Sequence, residues 1–206
     1  MMNQKKDHFL NKAKEWDQGN TRVKNARNIS KKILSKIKLE GSEHIMDFGA
    51  GTGLLSESIA PHIYKLTAVD YSEAMLKEFC KKEWPCETEA LNIDLSQATL
   101  DHTFDGIISS MTLHHIADIP GLFSKFHTLL KKEGFVALAD LEKEDGSFHN
   151  DNSGVEHFGF DRAFISGHLK NAGFSDISFV EANVISKEIN GKMKDFPIFM
   201  VYGRKK

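Results

Sequence analysis

Strand-like and helix-like apolar stretches alternate along most of this 206-residue chain, and no other feature of the sequence constrains the fold as strongly. Alternation of this kind is typical of a mainly parallel sheet whose strands are joined by crossover helices. The predicted strands in this part of the chain are 44–48, 64–69, 86–93, 104–110 and 135–141. The predicted helices between them are 54–62, 71–84 and 119–131. The sequence therefore predicts an α/β fold.

The two ends of the chain extend this pattern. Residues 4–38 carry apolar side chains at helical spacing, which predicts two helices before the first strand. After a long polar segment, 142–159, a helix at 161–172 precedes two strand-like runs that predict an antiparallel pair, 176–189 and 196–203. The predicted fold class is α/β, with a three-layer, doubly wound, mostly parallel seven-stranded sheet, an antiparallel last strand and N-terminal helices.

Length and composition limit the kind of protein and its partners. At 206 residues the chain fits one domain, 1–206, in which we expect an N-terminal helical cap, 1–40, before the core, 41–206. A net charge of −2 provides no overall positive field, so nucleic acid is not an expected partner. Cys80 and Cys86 lack a metal-ligand or redox spacing, and no apolar run reaches the length of a membrane span. We therefore expect a cytoplasmic protein without membrane insertion.

Three glycines at the end of the first predicted strand mark a candidate ligand site. Gly49, Gly51 and Gly53 alternate in the run DFGAGTG, where a backbone without side chains can turn tightly and approach a ligand. The dinucleotide pattern G-x-G-x-x-G would need a glycine at position 54, where the chain has Leu54. This spacing argues against a dinucleotide and leaves an NAD-dependent dehydrogenase as a third-ranked alternative.

A carboxylate follows the second predicted strand. Asp70 lies about twenty positions after the glycines, the separation at which nucleotide-binding folds present an acidic side chain to ribose hydroxyls. Glycine-rich turns and aspartates at strand ends are each common alone. Their combination in this register predicts a nucleotide-like ligand.

These residues resemble the motifs of the class I S-adenosylmethionine-dependent methyltransferases, particularly their type 11 small-molecule branch. The similarity covers about residues 45–141, where the first motif matches DFGAGTG from Asp47 and the second matches VDYSEAML from Val69. A third matches NIDL, which ends at Leu95, and a fourth matches FDGIISSMTLHHI, which begins at Phe104. The resemblance implies a Rossmann-like core, S-adenosylmethionine as the cofactor and methyl transfer as the activity.

The same resemblance assigns residues to the cofactor. It implies that the backbone of residues 49–53 holds the methionine portion, that Asp70 binds the ribose, and that Asp94 meets the adenine amino group. The run AKEWD also resembles the leading segment of the family, in which Trp16 either shields the sulfonium or packs on the domain. The predicted cofactor-binding set is Asp47, Gly49, Ala50, Gly51, Gly53, Asp70, Tyr71, Met75, Asp94, Leu95, Ser109 and Trp16.

Histidines supply the candidates for a general base, because imidazole titrates near neutrality and can take a proton from a hydroxyl or thiol acceptor. The candidates are His114, His115, His149 and His157. In the family the His114-His115 pair is mostly a loop feature beside the cofactor, so we expect structural support in preference to catalysis. The polar segment 142–160 is expected to wall the acceptor pocket, and its spacing matches no closed zinc pattern, so no metal site is predicted.

The favoured function is methyl transfer to O, N or S of a small molecule by in-line displacement. One alternative is an S-adenosylmethionine-binding module without turnover, which would bind the donor but form no S-adenosylhomocysteine. The other is a methyltransferase acting on a macromolecule. Many amino-directed nucleic-acid methyltransferases carry an Asn/Asp-Pro-Pro-Tyr/Phe run after strand four, where this chain has SSMT at 109–112. The motifs specify neither the methyl acceptor nor the oligomeric state.

Overall fold

The computed structural model describes residues 7–206, which form one sheet with helices on both faces. The α-helices in this range are α1 Asn20–Lys36, α2 Ser56–Ile59, α3 Glu73–Phe79, α4 Ile119–Leu129 and α5 Arg162–Asn171. Short 3-10 helices are Ala13–Gln18, Ala60–His62 and Leu113–His115. The strands are β1 His44–Phe48, β2 Lys65–Asp70, β3 Glu87–Asn92, β4 Phe104–Ser110, β5 Leu130–Leu141, β6 Phe174–Ile189 and β7 Lys192–Lys205.

The strands of residues 7–206 lie side by side in the order β3-β2-β1-β4-β5-β7-β6. β1 pairs in parallel with β2 and β4, β3 and β5 continue the parallel pairing, and β7 lies antiparallel between β5 and β6. The predicted fold class is confirmed, including the antiparallel last strand. Because the strand order reverses between β1 and β4, the carboxyl ends of these strands border a crevice, and this is where open α/β sheets bind ligands.

Alternating side chains divide the core into two layers. Ile45 of β1 packs with α1, α2 and α3 on one face of the sheet, whereas its neighbour Met46 packs with α4 and α5 on the other. Both residues are fully buried. A strand buried on both faces is expected in a parallel sheet covered by helices, and it holds the carboxyl ends of β1, β2 and β4 in fixed positions.

Several helix boundaries differ from the sequence-based prediction. The helix predicted at 71–84 ends at Phe79, where the indole N–H of Trp84 donates to the Phe79 carbonyl at 3.2 Å and the two rings stack at 4.4 Å. The helix predicted at 54–62 contains only one α-helical turn, Ser56–Ile59, before Pro61 enters a 3-10 turn. In the N-terminal region, one predicted helix is a 3-10 helix, and positions 4–6 of that prediction lie outside the described residues.

Candidate active site

The glycine-rich loop leaves β1 and turns back beside β2. Its three glycines have positive φ angles, 67° at Gly49, 57° at Gly51 and 87° at Gly53, in a region that disfavours side chains. A Cβ on Gly49 would overlap the Thr112 side chain, and one on Gly53 would lie 2.7 Å from the Trp84 ring. A Cβ on Gly51 would meet no other atom of the described chain within 4 Å. Two glycines therefore permit close packing, whereas Gly51 presents bare backbone to the crevice, as close contact with a nucleotide-like ligand requires.

Asp70 ends β2 beside this loop and is buried. Its Oδ2 accepts the Gly51 N–H at 2.8 Å, and its Oδ1 accepts the Ser72 N–H at 2.8 Å. Burial raises the pKa of the Asp70 carboxyl to about 6, although both backbone hydrogen bonds favour the charged form. Each carboxylate oxygen has a second lone pair, so Asp70 can hold the loop and still accept hydroxyl protons. The structure thus brings the glycines and Asp70 into direct contact.

Asp47 lies beneath the loop and is only 1% exposed. Its Oδ2 accepts the Ser56 hydroxyl at 2.6 Å. Burial raises the pKa of the Asp47 carboxyl to about 7, against the lowering effect of the Ser56 hydrogen bond, and the charge of Asp70 raises it further. The Asp47 side chain is therefore packed under the loop, whereas the sequence placed it among the groups that contact the cofactor.

Three other predicted cofactor residues have buried side chains. Ser109 is fully buried, and its hydroxyl donates to the Phe48 carbonyl at 2.7 Å, which joins β4 to β1. Met75 and Leu95 are 2% and 1% exposed and belong to the packed interior. Ala50 is also buried, with its N–H donated to the Val69 carbonyl at 3.2 Å. These side chains are packed around the site, and their assignment to the cofactor stays a prediction.

Two predicted residues lie nearer the surface of the crevice. The half-buried Tyr71 follows Asp70, and burial raises the pKa of its phenol above the usual value. Asp94 follows β3, and its Oδ1 accepts the Ser96 N–H at 3.0 Å in a local turn. Both residues therefore stand at the carboxyl edge of the sheet, which is compatible with the roles that the sequence predicted for them.

The segment from Asp7 to Gln18 crosses this edge of the sheet. Asp7 accepts the Ser72 hydroxyl at 2.9 Å, so the segment is attached to the cap of α3. Asp17 accepts the Thr52 hydroxyl, so the same segment is attached to the glycine-rich loop. Neither contact was predicted, because both join residues that are far apart in the sequence.

An aromatic cluster forms the inner surface of this segment. The Phe9 ring centre lies 5.6 Å from that of Trp16, 6.1 Å from that of Tyr71 and 5.7 Å from that of His115. Trp16 also packs against its own segment, because the Arg22 guanidinium lies 4.1 Å from its ring centre. Trp16 therefore packs locally and borders the crevice through Phe9.

Three of the four candidate histidines meet where β4 and β5 end. The ring centres of His114 and His115 are 4.2 Å apart, and those of His114 and His149 are 5.0 Å apart. His157 packs elsewhere, with its ring 5.0 Å from that of Phe160 and its Nε2 3.0 Å from the Ile116 carbonyl oxygen. The ring of His157 therefore lies apart from the other three rings, although its backbone N–H donates to the His114 carbonyl at 3.1 Å.

A buried carboxylate that the sequence analysis missed holds the first of these histidines. Asp140, at the end of β5, has its Oδ1 2.7 Å from Nδ1 of His114. Its Oδ2 accepts the backbone N–H of His114 at 3.3 Å. Burial alone would raise the pKa of Asp140, but the charge and hydrogen bonds of His114 outweigh it and hold this pKa below its usual value. The signal in the sequence was an acidic residue that closes the apolar run FVALAD.

The other two histidines of the cluster are held in the uncharged form. Nδ1 of His115 donates to the Gly154 carbonyl at 2.7 Å. Burial, followed by the charge of His114, lowers the pKa of His115 to about 4. The same two effects, with a contribution from Lys187, lower the pKa of His149 to about 4. Both imidazoles are therefore neutral at physiological pH.

Residues 143–159 form neither helix nor strand, and they contact the hairpin formed by β6 and β7. Lys194 of β7 lies 2.6 Å from the Asp145 carboxylate, and Lys187 of β6 donates to the Phe148 carbonyl. These contacts place Phe148 and His149 over the end of β5. Within residues 7–206 no group of three or more His, Cys, Asp or Glu side chains is arranged to hold a metal ion. The described helices include none that is long and apolar enough to span a membrane.

The strand order defines an α/β protein. The glycine-rich loop bound to the carboxylate at the end of β2 forms a site suited to a nucleotide-like ligand. A family model described as a methyltransferase domain matches residues 18–179. The chain therefore belongs to this methyltransferase family. The class I S-adenosylmethionine-dependent methyltransferase predicted from the sequence is confirmed at this level, with S-adenosylmethionine as the cofactor.

Curated relatives share part of their length with this chain. An uncharacterized methyltransferase of Schizosaccharomyces pombe is 32% identical over 163 residues, which cover 68% of this chain and 57% of that protein. Phosphoethanolamine N-methyltransferase 1 of Zea mays is 28% identical over 160 residues, 72% of this chain and 31% of the relative. A malonyl-[acyl-carrier protein] O-methyltransferase of Bacillus cytotoxicus is 25% identical over 167 residues, 79% of this chain and 56% of the relative.

A solved structure supports the fold. A putative methyltransferase from Bacillus halodurans superposes with a TM-score of 0.70 at 17% identity, covering 85% of this chain and 98% of the other. The chain thus spans nearly all of this structural neighbour, but between about a third and three fifths of the three curated relatives.

Proposed function

We propose that this chain transfers the methyl group of S-adenosylmethionine to O, N or S of a small molecule by in-line displacement. The observation that carries the proposal is the 2.8 Å hydrogen bond from the Gly51 N–H to Asp70 at the strand-order reversal of a methyltransferase-family sheet. The maize relative is named as an N-methyltransferase of phosphoethanolamine, which supports a small acceptor. The Bacillus cytotoxicus relative is named as an O-methyltransferase, so the names of these two relatives include nitrogen and oxygen as acceptor atoms.

Three groups of the chain would each bind a different part of the cofactor. In this proposal the Gly51 backbone holds the methionine portion, Asp70 accepts the ribose hydroxyl protons, and Asp94 meets the adenine amino group. S-adenosylmethionine supplies, when bound, an electrophilic methyl group on a positively charged sulfur. The protein has to align the acceptor with this methyl group and exclude water, because the sulfonium needs no further activation.

Coverage of the crevice favours a small acceptor over a macromolecule. The N-terminal segment and the 142–160 segment meet above the carboxyl edge, where the His8 ring lies about 3 Å from the Cβ position of Gly154. Phe9 and His149 line the inside of this cover through their ring contacts with His115. A folded macromolecule would have to displace both segments, whereas a small molecule needs only a local opening.

Binding of the donor can be tested with a matched pair of glycine variants. Gly51→Val and Gly191→Val place the same side chain on backbones with positive φ angles, 57° and 76°, and in both the Cβ meets no other described atom within 4 Å. We expect Gly51→Val to abolish calorimetric binding of S-adenosylmethionine and S-adenosylhomocysteine and Gly191→Val, in the β6–β7 turn, to retain it. Equal affinities in the two variants would contradict the proposed site.

Turnover separates an enzyme from a binding module. Labelled methyl donor is incubated with a panel of phenols, amines and thiols, and formation of S-adenosylhomocysteine is measured. We expect product with at least one acceptor class. Donor binding without product in every class would support the binding module, and methylation of RNA or protein alone would support the macromolecular alternative.

A further inference from the structure

The Asp140–His114 pair has a defined hydrogen-bond polarity. Asp140 is 0% and His114 1% exposed, and the contact between Oδ1 and Nδ1 is 2.7 Å. The pKa of Asp140 is held below its usual value, so the carboxylate is ionised and can only accept hydrogen bonds. Because the carboxylate can only accept, hydrogen sits on Nδ1 of His114, and the neutral tautomer that this contact selects carries its lone pair on Nε2.

Nε2 of His114 has no hydrogen-bond partner among the described residues, 7–206, although it is buried. Burying an acceptor without a donor costs free energy, and the packing around Asp140 fixes the ring in this orientation. Nε2 of the neighbouring His149 is likewise buried and unbonded among the described residues. Both features indicate that a polar group from outside the described residues completes the site.

The surroundings of His114 distinguish it from the other histidines. The titratable groups that face it are Asp140 on β5, His115 beside it and His149 on the covering segment; Lys187 on β6 and Lys12 of the N-terminal segment act on His149. Burial and nearby positive charge lower the pKa of His115 and His149 to about 4. His114 alone among the three rings hydrogen-bonds a carboxylate that can compensate an added proton.

The same surroundings limit the charge of the acceptor. The Lys187 ammonium donates to the carbonyl of Phe148, beside His149, and this positive charge disfavours a protonated amine in the same site. Aromatic rings flank it, because Phe148 lies 4.8 Å from His149 and Phe9 lies 5.7 Å from His115. A planar, uncharged acceptor with a hydrogen to donate fits these constraints.

We propose that the acceptor is an uncharged phenol-type hydroxyl whose O–H donates to Nε2 of His114, with His114 as the general base and Asp140 as its positioning residue. This inference rests on the proposed function. The hydroxyl oxygen forms the new O–CH3 bond as the S–CH3 bond of S-adenosylmethionine breaks, sulfur keeps the bonding electron pair, and the O–H proton passes to Nε2. The resulting imidazolium is paired with Asp140 and returns its proton to water after product release.

A hydroxyl of this kind also needs a base more than a thiol does. A phenol has an ordinary pKa of about 10 and a thiol about 8.5, so the phenol is almost wholly protonated at neutral pH. General-base catalysis typically contributes about 10²- to 10⁴-fold, which makes its loss measurable. A phenol that is already ionised should lose this dependence.

The decisive experiment compares two phenols in the full-length protein. The probes are assayed at pH 8 with labelled S-adenosylmethionine at saturating donor; at this pH 4-methoxyphenol is protonated and 4-nitrophenol is largely ionised. We expect His114→Gln to lower kcat for 4-methoxyphenol about 10²-fold or more but for 4-nitrophenol less than about tenfold. Asp140→Asn should show the same selectivity, and His168→Gln, a histidine on α5 that packs against Phe164, should change neither rate. Equal losses for both phenols would overturn the general-base assignment.

A second measurement does not depend on turnover. Ring ¹⁵N chemical shifts of the unmodified protein report which nitrogen of His114 carries hydrogen, and we expect Nδ1–H with a bare Nε2 that shifts when 4-methoxyphenol is added with S-adenosylhomocysteine. An Nε2–H tautomer would overturn the proposal even if both variants fail to fold.

The two proposals fail in different ways. If benzylamine is methylated but neither phenol is, the acceptor assignment is overturned. The same holds if no panel member is methylated while the protein still binds the donor. In both cases the proposed donor site is unaffected. Absence of donor binding in the unmodified protein contradicts the proposed function itself.

Discussion

Replacement of the buried Asp47 by asparagine should change how stability depends on pH. The carboxyl has an ordinary pKa of 3.8 when unfolded and about 7 in the folded chain, because burial disfavours its charged form. The folded state therefore binds the proton more tightly than the unfolded state. The stability that protonation of Asp47 provides is complete below pH 3.8 and is lost as the pH rises through about 7.

The size of this effect follows from the two pKa values. The interval from 3.8 to about 7 corresponds to about 4 kcal/mol at 1.36 kcal/mol per pH unit. The amide introduced by Asp47→Asn cannot ionise, and its carbonyl oxygen can still accept the Ser56 hydroxyl. The free energy of unfolding of the variant minus that of the unmodified protein should therefore increase by about 4 kcal/mol between pH 4 and pH 8.

Urea unfolding followed by circular dichroism at these two pH values measures the difference. Comparison between pH values cancels the fixed effect of the extra amide hydrogens, which is the same at both. Asp101→Asn, at an exposed position, is the matched control and should change stability by less than about 0.5 kcal/mol at either pH. A difference for Asp47→Asn that stays constant with pH would show that the folded protein does not hold this proton, and would refute the reasoning.

Three further substitutions test contacts around the crevice. Asp70→Ala should weaken S-adenosylmethionine binding about tenfold to a hundredfold in calorimetry, because it removes a charged acceptor; unchanged affinity would contradict the ribose assignment. In urea unfolding, Gly53→Ala should lower the free energy of unfolding by about 3 kcal/mol and Gly191→Ala by about 1 kcal/mol. Both glycines have a positive φ angle, but only the Cβ added at Gly53 would meet packed rings, so equal losses would contradict the packing argument. Ser72→Ala should cost about 1–2 kcal/mol in thermal unfolding by removing a helix cap and the contact with Asp7, and a loss below about 0.5 kcal/mol would argue against both contacts.

Local sequence signals predicted the framework of the fold because strand burial and chain periodicity are properties of short segments. β1 and β4 have the predicted bounds, 44–48 and 104–110. The end of α3 was missed because it depends on Trp84, which folds back to meet the Phe79 carbonyl. Such a contact becomes visible only once the turn after the helix is known.

The candidate site was predictable where it depends on one segment and not where it depends on several. The loop–carboxylate pair was predictable because Gly51 follows β1 and Asp70 ends the neighbouring β2, and the structure joins them. Asp140 was overlooked because its partner His114 is 26 positions away and belongs to a different strand end. Ser109 was assigned to the cofactor by its position in a motif, and its contact with the Phe48 carbonyl on β1 was not predicted because it joins residues 61 positions apart.

The position of β7 in the sheet has a consequence for synthesis. β7 is made after the other six strands of residues 7–206, yet it lies between β5 and β6, and β6 joins the sheet through it. While residues 192–205 are still inside the ribosome, β5 has an open edge and β6 has no place in the sheet. Unpaired edges of this kind promote association between chains, so the nascent protein is most vulnerable to aggregation just before its final strand emerges.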